Sequence, residues 1–251
     1  MFDRTREVAI NIVTTAASLV AFPVVAGIIG GVVAVVQSPS PALVSGVQHF
    51  AAGVVMAAVA GEVLPDLRAR GSLWLIVVGF CAGVAVLIGL RHFDGDEAAG
   101  DVEVSGGVLP IGFLAVVAVD LFIDGLLVAT GATVSKRTAV IIAIALTVEV
   151  LFLGLTVALR LAGSGVHRMR AAVITGGVSL VTAAGAVLGA LVLGGASASV
   201  LTLVLAFAAA ALLWLVVEEL LVEAHETPER PWMAVMFFAG FLILYCLGVM
   251  E

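Results

Sequence analysis

Residues 119–131 read VDLFIDGLLVATG. The stretch has the composition of a membrane helix, yet it carries two carboxylates, Asp120 and Asp124, one helical turn apart. The rest of the chain settles the first half of that description. Of 251 residues, 63% are hydrophobic and 12% are charged, and the mean hydropathy is +1.27. Soluble domains are about 45–50% apolar and about 25% charged. The chain is therefore expected to be an all-α integral membrane protein, a single transmembrane domain over residues 1–251. A membrane helix takes about 20 apolar residues, so this length holds roughly eight spans. Strands of a membrane barrel would alternate polar and apolar positions, whereas the runs here are continuously apolar.

The breaks between runs place the spans. They are expected at 8–36, 43–64, 72–90, 108–133, 137–161, 170–194, 198–221 and 232–250. Each break collects Gly, Pro, Ser or charge: QSPSPA, Arg68–Gly71, RHFDGDEAAGDVEVSGG, SKR, GSGVHRMR, GGASAS and HETPERP. Pro23 and Gly27 interrupt the first run, which could form two shorter pieces. The N-terminus, MFDRTREVAI, lacks a signal-peptide cleavage pattern, so the first run reads as a retained span. With eight spans the basic residues divide six against five between the two sides, and the positive-inside rule does not orient the chain. The many glycines, 28 in all, read as devices for close helix approach.

Net charge is -7, with acids concentrated in the loop Asp94–Glu103 and in the group Glu218–Glu229. No basic tract suggests nucleic acid. Cys81 and Cys246 lie in separate apolar runs, so neither a disulfide nor a cysteine metal cluster is expected. No Ser/His pair, GxGD-like motif or HExxH motif sits within a span, so an enzyme is not expected. Nothing points to an organic cofactor. The bilayer is the first expected partner. Many transporters of this size are dimers, but no sequence feature sets the number of subunits.

The second half of the description, the carboxylates, carries the functional signal. An acid at mid-bilayer costs roughly 2.5–3.5 kcal/mol on insertion scales. Asp120, Asp124 and Glu149 all fall well inside expected spans. Asp120 and Asp124, at i and i+4, share one helix face. Like charges there call for a proton, a metal ion or a cationic substrate, because no Lys or Arg lies in the interior of a span. Counting outward from Lys136 in the SKR turn, Asp124 lies twelve residues back and Glu149 thirteen forward. At about 1.5 Å per residue the two reach nearly the same depth on neighbouring helices. Three acids at one depth point to an ion or proton site; the plainer alternative is three protonated acids bonded to backbone or hydroxyl groups. Thr130, Thr147 and Thr156 are expected to bond their own i−4 carbonyls.

Four segments in order resemble the ZIP family of divalent-metal transporters. HFAAGVVMAAVAGEVLPDL, residues 49–67, looks like the FAAG…(E/H)LLPE signature of the family's second span. VEELLVEAHE, residues 217–226, looks like its penultimate helix. VDLFIDG lies where the family has H-N-x-P-(E/D)-G, and VEVLFLG where it has H-(E/N)-x-P-E-G. The resemblance covers nearly the whole chain and includes a polar loop after the third span. It implies an eight-helix ZIP-like bundle that moves a divalent metal ion. Asp120 takes the position of the family's histidine in the fourth span, Asp124 matches the acid one turn later, and Gly125 the glycine. Leu121 and Ile123 replace asparagine and proline. In the fifth span Glu149 takes the histidine position and Gly154 is kept, while Val150 and Leu153 replace acid-type residues and Phe152 the proline. Glu62 and Glu219 match acidic positions near the ends of the second and seventh spans, where they would line the access or release path. The match at Glu219 is open by one residue, with Glu218 beside it.

The implied metal set, Asp120, Asp124, Glu149, Glu62 and Glu219, contains only oxygen donors. Imidazole suits zinc, copper, nickel and iron; carboxylate suits magnesium, calcium and manganese. A harder cation, manganese, magnesium or iron, is therefore expected as substrate ahead of zinc. His49 begins the second span, where it could line an entrance or sit as an interfacial histidine; His92 and His167 lie in loops; His225 stands in the Glu223–Glu226 cluster, which could catch a cation at one mouth or form a solvated acidic helix end. Met56 lies seven residues after His49, on roughly the same side, and reads as packing. The expected function is divalent-cation transport in the cell (plasma or inner) membrane. Two alternatives stay open: a proton-coupled carrier of another cation, and a non-transporting membrane protein on the same scaffold.

Overall fold

A computed structural model describes the backbone of residues 2–37, 39–70, 72–96, 101–104, 107–228 and 230–250, and side chains outside 1–9 and 90–108. The chain is a bundle of helices. Among the described residues, seven helical stretches are long and apolar enough to cross a membrane, and an eighth apolar stretch, Leu73–Gly89, is shorter. The outward surface is apolar, with Phe22, Trp74, Val192 and Leu242 among the exposed side chains. That is the surface a lipid-facing bundle needs, since lipid offers no partner for polar groups.

The first span is two helices, α1 (Phe2–Leu19) and α2 (Ala21–Gln37), that meet at Val20. Pro23 accounts for the break. Its ring crowds the carbonyl four residues back, at Leu19, and it has no N–H to give. The second span is α3 (Pro41–Ala58), a π-helical turn Val59–Val63, and α4 (Leu64–Arg70). Next is α5 (Leu73–Asp96), which runs six residues beyond the sequence-based boundary. Two short antiparallel strands follow, β1 (Asp101–Val104) and β2 (Gly107–Pro110), where a polar loop was expected. The acids of that loop and His92 lie outside the described side chains.

The helices α6 (Ile111–Val134), α7 (Lys136–Gly163) and α8 (Arg168–Leu193) form the fourth to sixth spans. The seventh is α9 (Ala198–Trp214), a second π-helical turn Leu215–Leu220, and α10 (Leu221–His225); α11 (Pro231–Met250) is the eighth. Three of the breaks carry a serine cap. Ser40, Ser135 and Ser197 accept from the backbone N–H groups of Leu43, Thr138 and Val200. Each cap contributes about 1 kcal/mol by satisfying an orphan donor. Gly165, at φ 90°, supplies the left-handed residue that turns α7 into α8.

The helices group into two sets. In one, α2 packs on α7 and α8, and α6 packs on α8. In the other, α3 packs on α11, and α5 on α9. The sets meet where α3 lies on α7 and α6 on α9. Two glycines beside the acids show how closely the first set is drawn together. A Cβ on Gly125 would strike the Thr182 carbonyl oxygen of α8, and one on Gly154 would strike the Gly27 carbonyl oxygen of α2. Both glycines follow a site carboxylate within a few residues, so they seat the carboxylate-bearing helices α6 and α7 against their supports. Small residues let membrane helices approach to backbone contact, where dispersion and weak polar contacts hold them.

Candidate cation site

Asp120, Asp124 and Glu149 converge. One carboxylate oxygen from each lies within 4.8 Å of the other two. Asp124 and Glu149 are buried, at 2% and 1% exposure, and Asp120 is half-buried. The helical i,i+4 spacing aligns the two aspartates, and the tight Ser135 turn folds α7 back beside α6 at equal depth. Oδ2 of Asp124 and Oε2 of Glu149 are buried and have no hydrogen-bond partner among the described residues. A buried carboxylate oxygen without a partner is costly. Two unit charges 4.8 Å apart also repel by about 3.5 kcal/mol at an effective dielectric of 20.

A cation answers both costs. Oxygens on opposite sides of one ion stand about 4.2 Å apart around magnesium and about 4.6–5.2 Å apart around calcium. The observed spread of at most 4.8 Å lies in that range. Three carboxylates around one divalent ion leave a charge of -1, enough to hold a proton or a second cation as well. The donors are all oxygen, which fits hard cations better than zinc.

A cavity of about 270 Å³ leads to the cluster. Asp120 forms part of its wall, and Glu218, Glu219, Glu223 and Arg160 line it as well. Asp124 and Glu149 are not among the lining residues and sit behind Asp120. Glu219, expected on the access or release path, lies on the cavity wall between the helix sets. Glu218 and Glu219 need not be told apart, because both face this cavity from the π-helical turn. A π turn widens the helix by one residue and re-aims its side chains, and such turns are frequent at functional sites. Arg160 was not legible as a site residue. It lies near the end of a span, stacks over the Phe113 ring at 4.0 Å, and brings a cation to an acidic wall.

Glu62 stands elsewhere, also on a π-helical turn. Its Oε1 is 3.5 Å from Nε of Arg137, and its Oε2 accepts from the Thr138 hydroxyl at 3.5 Å. Arg137 also donates to the Gly248 carbonyl. Glu62 is therefore tied to the start of α7 and, through Arg137, to the end of α11, and it is not in the carboxylate cluster.

The threonines behave as expected. Thr130, Thr147 and Thr156 donate to the i−4 carbonyls of Leu126, Ala143 and Phe152. Cys81 and Cys246 are free thiols. His167 caps the start of α8 without a side-chain bond to it. Met56 packs against the main core. In comparisons with known proteins, no family model and no curated protein matches the chain.

Proposed function

We propose that this multi-pass protein is a ZIP-like transporter of a divalent cation, with Asp120, Asp124 and Glu149 holding the ion in transit. The observation that carries the reading is the buried cluster whose Asp124 and Glu149 oxygens have no protein partner among the described residues. Oxygen-only donors favour manganese or magnesium over zinc as substrate. Glu218, Glu219 and Glu223 raise the local cation concentration along the cavity, and Asp120 takes the ion first. The cell membrane is the proposed location. Purified protein in liposomes should carry Mn²⁺ in preference to Zn²⁺, followed with an internal metal-sensitive dye. Absence of flux for every divalent cation, with no metal binding in solution, would sink the reading.

Alternating access needs one end of the site closed while the other is open. The cavity opens the cluster toward the Glu223 end. At the far end the Glu62–Arg137 pair and the Arg137–Gly248 bond join α7 of one helix set to the π-helical turn after α3 and to α11 of the other. These contacts must part when the transporter opens the other way. Arg137 is half exposed, so the pair is worth about 1 kcal/mol or less. Arg137→Ala should therefore raise opening at that end by up to about fivefold. Ile141 lines the small cavity beside the pair, so Ile141→Cys, with both native cysteines changed to Ala, reports the opening. Faster labelling by a membrane-impermeant maleimide is expected; an unchanged rate would remove the pair from the gate.

A further inference from the structure

We propose a second cation site, built from His49 and His225, that takes a borderline divalent ion of the zinc, cobalt or nickel class. It stands apart from the carboxylate cluster and does not depend on it. The two imidazoles come from α3 and α10, and their ring centroids lie 5.2 Å apart at an interplanar angle of 51°. A zinc ion binds imidazole nitrogen at about 2.0–2.1 Å, and the ring centre lies about 1.1 Å further out, so metal and centroid are about 3.2 Å apart. At a tetrahedral angle of about 109°, two such rings have centroids about 5.2 Å apart. The observed centroid spacing of 5.2 Å equals that value.

The hydrogen bonds point the same way. Nδ1 of His49 bonds the Ser45 carbonyl at 2.8 Å, and Nδ1 of His225 bonds the Leu221 carbonyl. A carbonyl only accepts, so each Nδ1 carries the proton. Nε2 is then the nitrogen through which each ring would bind a metal. Metal-bound histidines nearly always donate their other ring N–H in this way, which sets tautomer and orientation. The supporting residues are themselves held. Ser45 donates to the Ala224 carbonyl at 2.7 Å, and Gln48 donates to the Glu223 carboxylate at 2.6 Å. Neighbouring residues of α3 thus engage the last turn of α10 twice, fixing the two rings relative to each other.

The rings open onto a cavity of about 460 Å³, also lined by Met233 and Arg230. Water or solute in that space can complete the coordination. Arg230 opposes a cation, while Glu223 and Glu226 flank His225 and offset it. Imidazole donors select borderline metals over the hard ions suited to carboxylates. The chain therefore offers two sites of opposite preference, and the imidazole site lies beside the mouth of the access cavity, whose wall includes Glu223.

Cobalt(II) is the probe, because its tetrahedral complexes absorb strongly in the visible. The full chain in detergent, with any polyhistidine tag removed, is titrated with Co²⁺. Intense tetrahedral bands are expected, with binding at least tenfold weaker in His225→Ala. His225 is exposed, so that variant folds; His49→Gln provides the buried counterpart. The variant Asp120→Asn/Asp124→Asn should keep the bands, which separates this site from the transport reading. Missing bands in the unmodified chain, a change of less than tenfold in His225→Ala, or loss of the bands in the aspartate variant overturns the proposal.

Discussion

Replacing Asp120 and Asp124 together by Asn should abolish Mn²⁺ flux in liposomes and weaken Mn²⁺ binding by at least about 100-fold. Loss of a residue that merely supports a metal ligand costs about 10–100-fold, and loss of two ligands exceeds that. The change leaves Glu149 as the only ionisable carboxyl of the three that lie within 4.8 Å of one another. Folding should not suffer. Asparagine is nearly isosteric with aspartate, and the swap removes repulsion between groups at most 4.8 Å apart. Melting without metal should therefore stay level or rise. The stabilisation that Mn²⁺ confers, about 2.7 kcal/mol at one hundred times its dissociation constant, should vanish. Thermal melting with and without Mn²⁺ reads both parts. A variant that keeps the metal-dependent shift and the flux would place the transported ion elsewhere.

Asp120→His should move selectivity toward zinc. Asp120 is the cluster residue that faces the cavity, so its donor meets the ion first. An imidazole there adds the ligand type that favours zinc and nickel and lowers the negative charge that favours hard ions. The ratio of Zn²⁺ to Mn²⁺ uptake should rise by at least about tenfold, corresponding to roughly 1.4 kcal/mol of differential binding. Glu149→Gln is the control: it removes charge without adding nitrogen and should depress both ions. Equal loss of both in Asp120→His would show that charge alone, not donor type, sets the preference.

Much of this arrangement was legible because helices are stiff and regular. Composition sufficed for a helical membrane bundle, since no other reading buries so much apolar chain. Spacing sufficed for the cluster: i,i+4 puts Asp120 and Asp124 on one face, and nearly equal counts from Lys136 bring Glu149 level with Asp124. The serines at Ser40, Ser135 and Ser197 stand in breaks that the sequence already marked, and each caps the helix that follows.

Other features depended on contacts that no period encodes. Glu62 is legible in the sequence only by its place near the end of a span, and its contact with Arg137 on another helix came from the tertiary structure. The two π-helical turns and the extension of α5 to Asp96 shifted boundaries and re-aimed side chains, whereas the break at Val20 was marked in the sequence by Pro23. His49 and His225 read as unrelated residues, although they sit in ring contact. The physical reason is the same in each case. Helices that are apolar nearly all round carry little sequence information about which face turns inward or which neighbour they meet. Depth along the membrane follows from counting residues, so the sequence by itself determined the level at which the carboxylates stand. Rotation and partnership follow from close backbone approach, such as Gly125 on Thr182 and Gly154 on Gly27, so only the tertiary structure decided which side chains face one another.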